Sequence, residues 1–201
     1  MTTDPTKEKE EGDFTSSPLP LNGPIEEITE GKISRVLNYK EGVLEGEARL
    51  YEEGFLVQRM IYEKGEFQGP FEVYDKGKIL FQCTYDQGKQ KGPATFFAEN
   101  GMPSARAYYD NGKLTGPFIS YNEGGVVVQI IHYKSDQKDG PSITYYPSGS
   151  VLERGDYCVD QKDGIWYRYH ENGMVMEVSH WQIGHLLGPV PLYDPDGKQI
   201  R

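Results

Sequence analysis

The chain has 201 residues, a net charge of −10 and a pI near 4.9. That acidity excludes the basic footprint a phosphate backbone demands, so nucleic acid is not an expected partner. Hydrophobic residues make up only 36%, while Tyr (15) and Gly (24) are abundant, a composition suited to aromatic strands and glycine turns rather than a deep aliphatic core.

The length fits one domain or two small ones. Residues 1–30 read as a disordered acidic tail. Eight acidic residues (Asp4, Glu8, Glu10, Glu11, Asp13, Glu26, Glu27, Glu30) face two basic ones (Lys7, Lys9), and Ser16-Ser17-Pro18-Leu19-Pro20 and Asn22-Gly23-Pro24 fall in the same stretch. Such a segment buries too little apolar surface to fold. The N-terminus has no apolar run and no stretch reaches membrane-spanning length, so the expected location is cytoplasmic.

From Gly31 to the end the chain repeats. Seven glycines (Gly46, Gly69, Gly92, Gly116, Gly140, Gly164, Gly188) follow one another at spacings of 23, 23, 24, 24, 24 and 24 residues. Five residues after each stands an aromatic: Tyr51, Tyr74, Phe97, Tyr121, Tyr145, Tyr169 and Tyr193. A turn glycine comes three or four residues later (Gly54, Gly77, Gly101, Gly125, Gly149, Gly173, Gly197), so the extra residue of the longer units belongs to this turn. The return strand ends on another aromatic (Tyr39 in a partial first unit, then Tyr62, Tyr85, Tyr109, Tyr133, Tyr157, Trp181). Three residues further on come Gly42, Gly65, Gly88, Gly112, Asp136, Asp160 and Gly184; Asp tolerates the left-handed backbone, so it preserves the turn. Pro70, Pro93, Pro117, Pro141 and Pro189 follow the repeat's first glycine, at what reads as a strand's first residue, where a missing N–H is tolerated.

Each unit is a β-hairpin, and two strands alone cannot bury their faces. The expected fold is all-β: an elongated single antiparallel meander of roughly 14 strands over residues 31–201, about seven stacked units, each touching mainly its neighbours.

The pattern G-x-x-x-x-Y-x-x-G at this period resembles the MORN repeat. Its return-strand form, Tyr109-Asp110-Asn111-Gly112-Lys113 leading to Gly116-Pro117, is similar to the variant repeat of bacterial YwqK-type antitoxin proteins. The resemblance covers about residues 31 to 201. It implies an elongated hairpin sheet for protein–protein contact, with an antitoxin or immunity-type role in a bacterium, or else a scaffold or peripheral membrane-attachment role. No catalytic domain follows the repeats, so the expectation is a non-enzymatic protein.

The aromatic ladders admit two readings: cross-strand packing partners, or an exposed stripe that binds a protein. Strands Val126–Tyr133 and Ile79–Tyr85 are apolar on both faces, whereas Val151–Tyr157 is polar. Mid-array is therefore where a partner is expected, with Phe97, Tyr109, Tyr121, Val128, Ile130, Tyr133 and Tyr145 as its candidate contacts. A self-pairing homodimer through the unfinished edge beyond Tyr193 is a further expectation. Lys and Arg are scattered rather than clustered, which disfavours an anionic membrane.

No metal, cofactor or catalytic set is expected. His132, His170, His180 and His185 follow no metal-ligand spacing. Cys83 and Cys158 stand three repeats apart, beyond disulfide reach and without a local His partner. The twin segments Asp136-Gln137-Lys138-Asp139-Gly140 and Asp160-Gln161-Lys162-Asp163-Gly164 lack the calcium-loop spacing and read as turns.

Overall fold

A computed structural model describes residues 22–201. Eighteen strands form one sheet in which neighbours in sequence are neighbours in space. In order they are β1 (Asn22–Thr29), β2 (Lys32–Lys40), β3 (Val43–Leu44), β4 (Gly46–Glu52), β5 (Phe55–Glu63), β6 (Glu66–Asp75), β7 (Lys78–Asp86), β8 (Lys89–Gln90) and β9 (Gly92–Phe97). Then follow β10 (Pro103–Asp110), β11 (Lys113–Leu114), β12 (Gly116–Tyr121), β13 (Val127–Lys134), β14 (Gln137–Tyr145), β15 (Val151–Cys158), β16 (Gln161–Tyr169), β17 (Val175–Gln182) and β18 (His185–Leu186). The two-residue strands β3, β8 and β11 are the first steps of β4, β9 and β12. Every pairing is antiparallel, and substantial contacts run only between sheet neighbours. The predicted all-β meander is thus the fold, one layer thick.

Two kinds of turn close the hairpins. On one edge Lys64-Gly65, Gln87-Gly88, Asn111-Gly112, Ser135-Asp136 and Val159-Asp160 all have positive φ, as two-residue hairpin turns that match the strand twist require. Asp136 (φ 73°) and Asp160 (φ 65°) occupy the glycine position, as their chemistry allows. The opposite edge carries two-residue turns in the 23-residue units and longer loops in the 24-residue ones. Ala98 N–H donates to Met102 C=O and Gly101 N–H to Ala98 C=O, so the extra residue sits in the loop and leaves the strands in register.

The structure corrects two boundaries. Asn22–Thr29 is a strand, paired with β2 from Asn22↔Lys40 to Thr29↔Lys32, so the sheet begins before Gly31. Gly23 (φ 105°) and Pro24 are the glycine–proline start of a further unit, disguised because Ile28 stands where an aromatic recurs. The rest of the predicted tail, residues 1–21, lies outside the described residues. The Gly–Pro pair opens β9 and β12, as expected, but lies inside the longer strands β6 and β14. In β6, Met60 faces Phe71 but Tyr62 faces Phe67, so extra residues around Gly69 and Pro70 are absorbed as a bulge. A bulge, like an edge, spares the proline nitrogen from the ladder. At the C-terminal end, Tyr193 N–H donates to Met176 C=O and Tyr193 bridges Gln199; a short returning segment therefore exists where the sequence reading had none.

One row of side chains, one per strand, forms the core. The registers link Ala48, Met60, Phe71 and Cys83 in turn, then Ala94 to Ala107, and Phe118 through Ile131, Ser142, Gly155 and Trp166 to Ser179. Ala48 and Ala94 are 1% exposed and Trp166 is 2% exposed. With a single layer, burial must come from neighbours on the same face. The aromatic rings supply it by leaning over the small residues: Tyr62–Phe67 (4.8 Å between centroids), Phe67–Tyr85 (5.3 Å), Phe81–Phe96 (4.8 Å) and Phe118–Tyr133 (6.2 Å). Each such pair contributes ~0.5–1 kcal/mol beyond its area.

Candidate functional site

Strand alternation divides the two aromatic ladders between the two faces. The return-strand ladder lies on the packed face. Burial pushes the hydroxyls of Tyr62, Tyr85, Tyr109, Tyr133 and Tyr157 above their ordinary value. Toward the C-terminal units lysines join it: Lys138 Nζ lies over Tyr157 at 5.2 Å, and Lys162 Nζ over Trp166 at 3.8 Å and Trp181 at 5.5 Å. The first-strand aromatics point the other way. Tyr74 Oη donates to Glu72 Oε2 (2.7 Å), and the Arg106 guanidinium sits 6.0 Å over Tyr121.

This second face changes character along the array. Its middle row, followed strand by strand, reads Arg49, Arg59, Glu72 and Gln82, continues at Thr95, Arg106, Ile119, Ile130, Ile143 and Arg154, and ends on Tyr167 and Val178. The N-terminal part is a closed ion network. Arg59 Nε meets Glu47 Oε2 at 2.6 Å and its Nη1 meets Glu72 Oε2 at 3.1 Å, while Arg49 Nε reaches Glu47 Oε1 at 3.1 Å. Hydrogen bonds to Glu47 and then Glu72 hold the Arg59 guanidinium above its ordinary value.

Beyond Arg106 the row turns apolar. Ile119, Ile130 and Ile143 lie side by side across β12, β13 and β14, half-buried, with exposed Arg106 at one end and exposed Arg154 at the other. The Arg154 guanidinium rests 5.2 Å over Tyr167 and 5.6 Å over Tyr169. A shallow groove of about 310 Å³ opens at this end, lined by Pro141, Ile143, Arg154, Asp156, Ile165 and Tyr167 among others.

The sequence candidates divide accordingly. Phe97, Tyr121, Val128, Ile130 and Tyr145 lie on the second face, the last four on or beside the isoleucine row and Phe97 two strands away on β9. Tyr109 and Tyr133 lie on the packed face, where Tyr109 pairs with Leu114 and Tyr133 with Lys138. Parity separates Tyr109 from Phe97: both are aromatic strand residues, but β10 and β9 present them to opposite sides. Ile119, Ile143, Arg106 and Arg154 escaped the sequence reading. Their signal was two repeat columns, three residues after each repeat glycine and three before each return aromatic, which are mostly polar from Arg49 to Arg106 and hold isoleucine only in mid-array.

His132 Nδ1 lies 3.0 Å from Pro141 C=O and His170 Nε2 2.9 Å from Tyr193 C=O. Among the described residues no three His, Cys, Asp or Glu side chains cluster as a metal site. The Asp136 and Asp160 carboxylates accept backbone N–H groups from Leu114 and Lys138, each at 2.8 Å. They fasten turns, but the expectation that the whole segments are turns holds only for these two residues: residues 137–140 lie in β14 and residues 161–164 in β16. Both cysteines are free.

The model of the MORN repeat variant matches residues 114–135, 138–158 and 162–182. Three consecutive units are thus similar to the MORN repeat variant. The matched segments run from β11 to β17, so they hold all three isoleucines of the row and Arg154. No curated protein sequence matches the chain. Among solved structures, it is similar at 10% identity to a mutant of TarM from S. aureus in complex with Fondaparinux, alpha-GlcNAc-glycerol and UDP, covering 78% of this chain and 21% of that one with a TM-score of 0.24. It is similar at 15% identity to the alternansucrase ASR in complex with isomaltononaose, covering 88% and 16% with a TM-score of 0.18. The chain thus spans about a fifth or less of the length of either, and neither superposition reaches the level of a shared fold.

Proposed function

We propose that the protein is a non-enzymatic binding module that holds a partner protein on its second face. The observation that carries this reading is the Ile119–Ile130–Ile143 row with its flanking arginines and tyrosines. Apolar residues bordered by Tyr and Arg form the usual centre of a protein interface, and a one-layer sheet leaves this row uncovered by the chain's other strands. MORN repeats are commonly protein or membrane interaction modules, and three units here are similar to them. The shifted titratable groups support a non-catalytic reading, because each is accounted for by packing, a hydrogen bond or an ion pair: packed-face tyrosines, Tyr74 (burial, then its bond to Glu72), Cys83, Arg59 and Asp86–Lys91. In a bacterial setting the same module would serve as an antitoxin or immunity protein, the role its Tyr109-to-Pro117 motif resembles.

The test is capture by tagged protein from native lysate, wild type against Ile130→Glu. The expected result is one partner at near-equal amounts, lost in the variant while its urea midpoint stays within that of the wild type. A partner retained by Ile130→Glu, or none captured at all, overturns the reading. Attachment to a lipid surface is the second reading, favoured by the exposed arginines beside apolar side chains. Co-sedimentation with vesicles that requires phosphatidylglycerol would establish it instead.

A further inference from the structure

The two arginines bracketing the isoleucine row differ from those elsewhere on the same face. Arg49 and Arg59 are tied to Glu47 and Glu72, whereas among the described residues neither Arg106 nor Arg154 meets a carboxylate. Each guanidinium is instead held on tyrosine faces, Arg106 on Tyr121 and Arg154 on Tyr167 and Tyr169. A guanidinium stacked on a ring keeps its N–H fork directed outward and loses little freedom when a carboxylate arrives. Asp156, two residues along β15 on this face, forms no ion pair with Arg154. The positive ends are therefore pre-set and uncompensated.

We propose that the second face recognises an extended acidic–apolar–acidic segment of a partner protein, its two carboxylates reaching Arg106 and Arg154 and its apolar side chains covering Ile119, Ile130 and Ile143. This rests on the interaction reading above and specifies the partner's chemistry. The row fixes the spacing. From Arg106 to Arg154 is four strand steps, about 19 Å at ~4.8 Å per strand. An extended peptide covers about 20 Å in six residue steps at ~3.3 Å each. Acids at its first and seventh positions then share one side with the apolar residues at positions three and five. The carboxylate–guanidinium pairs select and orient the segment, and the isoleucines supply the buried area.

The probe is the heptapeptide Asp-Thr-Val-Thr-Val-Thr-Asp, end-capped, with a twin carrying Lys at both ends. Binding is read on the full-length protein from the Ile δ1-methyl resonances at millimolar peptide. The acidic peptide is expected to shift Ile119, Ile130 and Ile143 selectively and to bind about tenfold or more tightly than the Lys twin. Arg106→Glu with Arg154→Glu should reverse that preference. Equal binding of both peptides, no shift at those methyls, or an unreversed preference overturns the proposal. So do two other outcomes. Shifts produced by phosphatidylglycerol vesicles but not by peptide would assign the face to a lipid surface. Shifts produced by neutralising Asp4, Glu8, Glu10, Glu11 and Asp13 without peptide would assign it to the chain's own acidic segment. Lysate capture that persists in the double charge swap overturns this inference alone and leaves the interaction reading standing; capture lost in Ile130→Glu with no charge preference does the same.

Discussion

Gly155 on β15 faces Trp166 on β16, and the indole fills the place where a side chain at 155 would stand. A Cβ there would collide with Cγ, Cδ2 and Cε2 of the ring. Trp166 is 2% exposed, and its Nε1–H donates to Asp156 C=O at 3.0 Å. Elsewhere in the core row Phe and Ile are cushioned by Ala, Cys and Ser; here the largest side chain requires the smallest partner.

Gly155→Ala should therefore destabilise the sheet by ~1–3 kcal/mol through overpacking, lowering Tm by several degrees for a chain of this size. Trp166→Leu costs stability alone through the cavity it leaves. Combined with Gly155→Ala it should cost clearly less than the sum, because the added methyl then has room. Additive losses in calorimetry would mean that the two positions do not share space.

Asp136 and Leu114 clasp each other between successive turns. Leu114 N–H donates to Asp136 Oδ1 at 2.8 Å and Asp136 N–H to Leu114 C=O at 3.0 Å. Asp160 and Lys138 repeat the clasp. Asp136→Gly loses one exposed hydrogen bond but keeps the left-handed turn. Asp136→Ala loses the bond and strains the backbone as well, so its urea midpoint should reflect ~1 kcal/mol more destabilisation than Asp136→Gly. Equal losses would show that backbone strain is not what this position demands.

The packed-face tyrosines make stability depend on alkaline pH. Burial raises Tyr62, Tyr85, Tyr109, Tyr133 and Tyr157 above 10.0 in the folded chain. A group whose folded value exceeds its unfolded one stabilises fully below the unfolded value, and that contribution is lost as pH rises through the folded value. Urea midpoints should hold steady to about pH 9 and fall above about pH 10. Tyr109→Phe with Tyr133→Phe should flatten the fall by removing two of the five ionisations. A slope unchanged in that variant would place its origin elsewhere.

Cys83 is 5% exposed at the centre of the cluster with Ala94 and Ala107, and burial pushes its thiol up to about 11. Little thiolate then forms near neutrality, and access is blocked. Iodoacetamide followed by peptide mass mapping should label half-buried Cys158 first, and Cys83 only under denaturing urea. Equal labelling in native buffer would show that the mid-array core opens readily.

The period carried most of the fold in the sequence, because a glycine, a turn and two aromatics recurring together leave few alternatives to stacked hairpins. The first unit was hidden by Ile28 and by an acidic surrounding that resembles a tail. Facing was harder to read. The two-residue bulge at Gly–Pro keeps the alternation, as Met60↔Phe71 and Tyr62↔Phe67 show. What separates the two groups is the pairing Ala94↔Ala107, from which Phe97 stands an odd and Tyr109 an even number of residues away. Tyr109 and Tyr133 thus joined Phe97 and Tyr121 in one list although the sheet sends them to opposite sides. The isoleucine row was legible in part: Ile130 was singled out from an apolar strand. Ile119, Ile143 and their arginines join it only once cross-strand register is fixed, and turn geometry fixes that register.

The extra residue of the 24-residue unit is confined to a hairpin loop, and every repeat spans two strands. Length in this architecture is consequently an adjustable quantity. Duplicating one whole unit, such as residues 140–163, would lengthen the strip by two strands, ~10 Å, and return every downstream side chain to the face it already occupies. Such a protein can acquire a longer ruler between its anchoring contacts in a single genetic step, with no compensating change elsewhere in the strip.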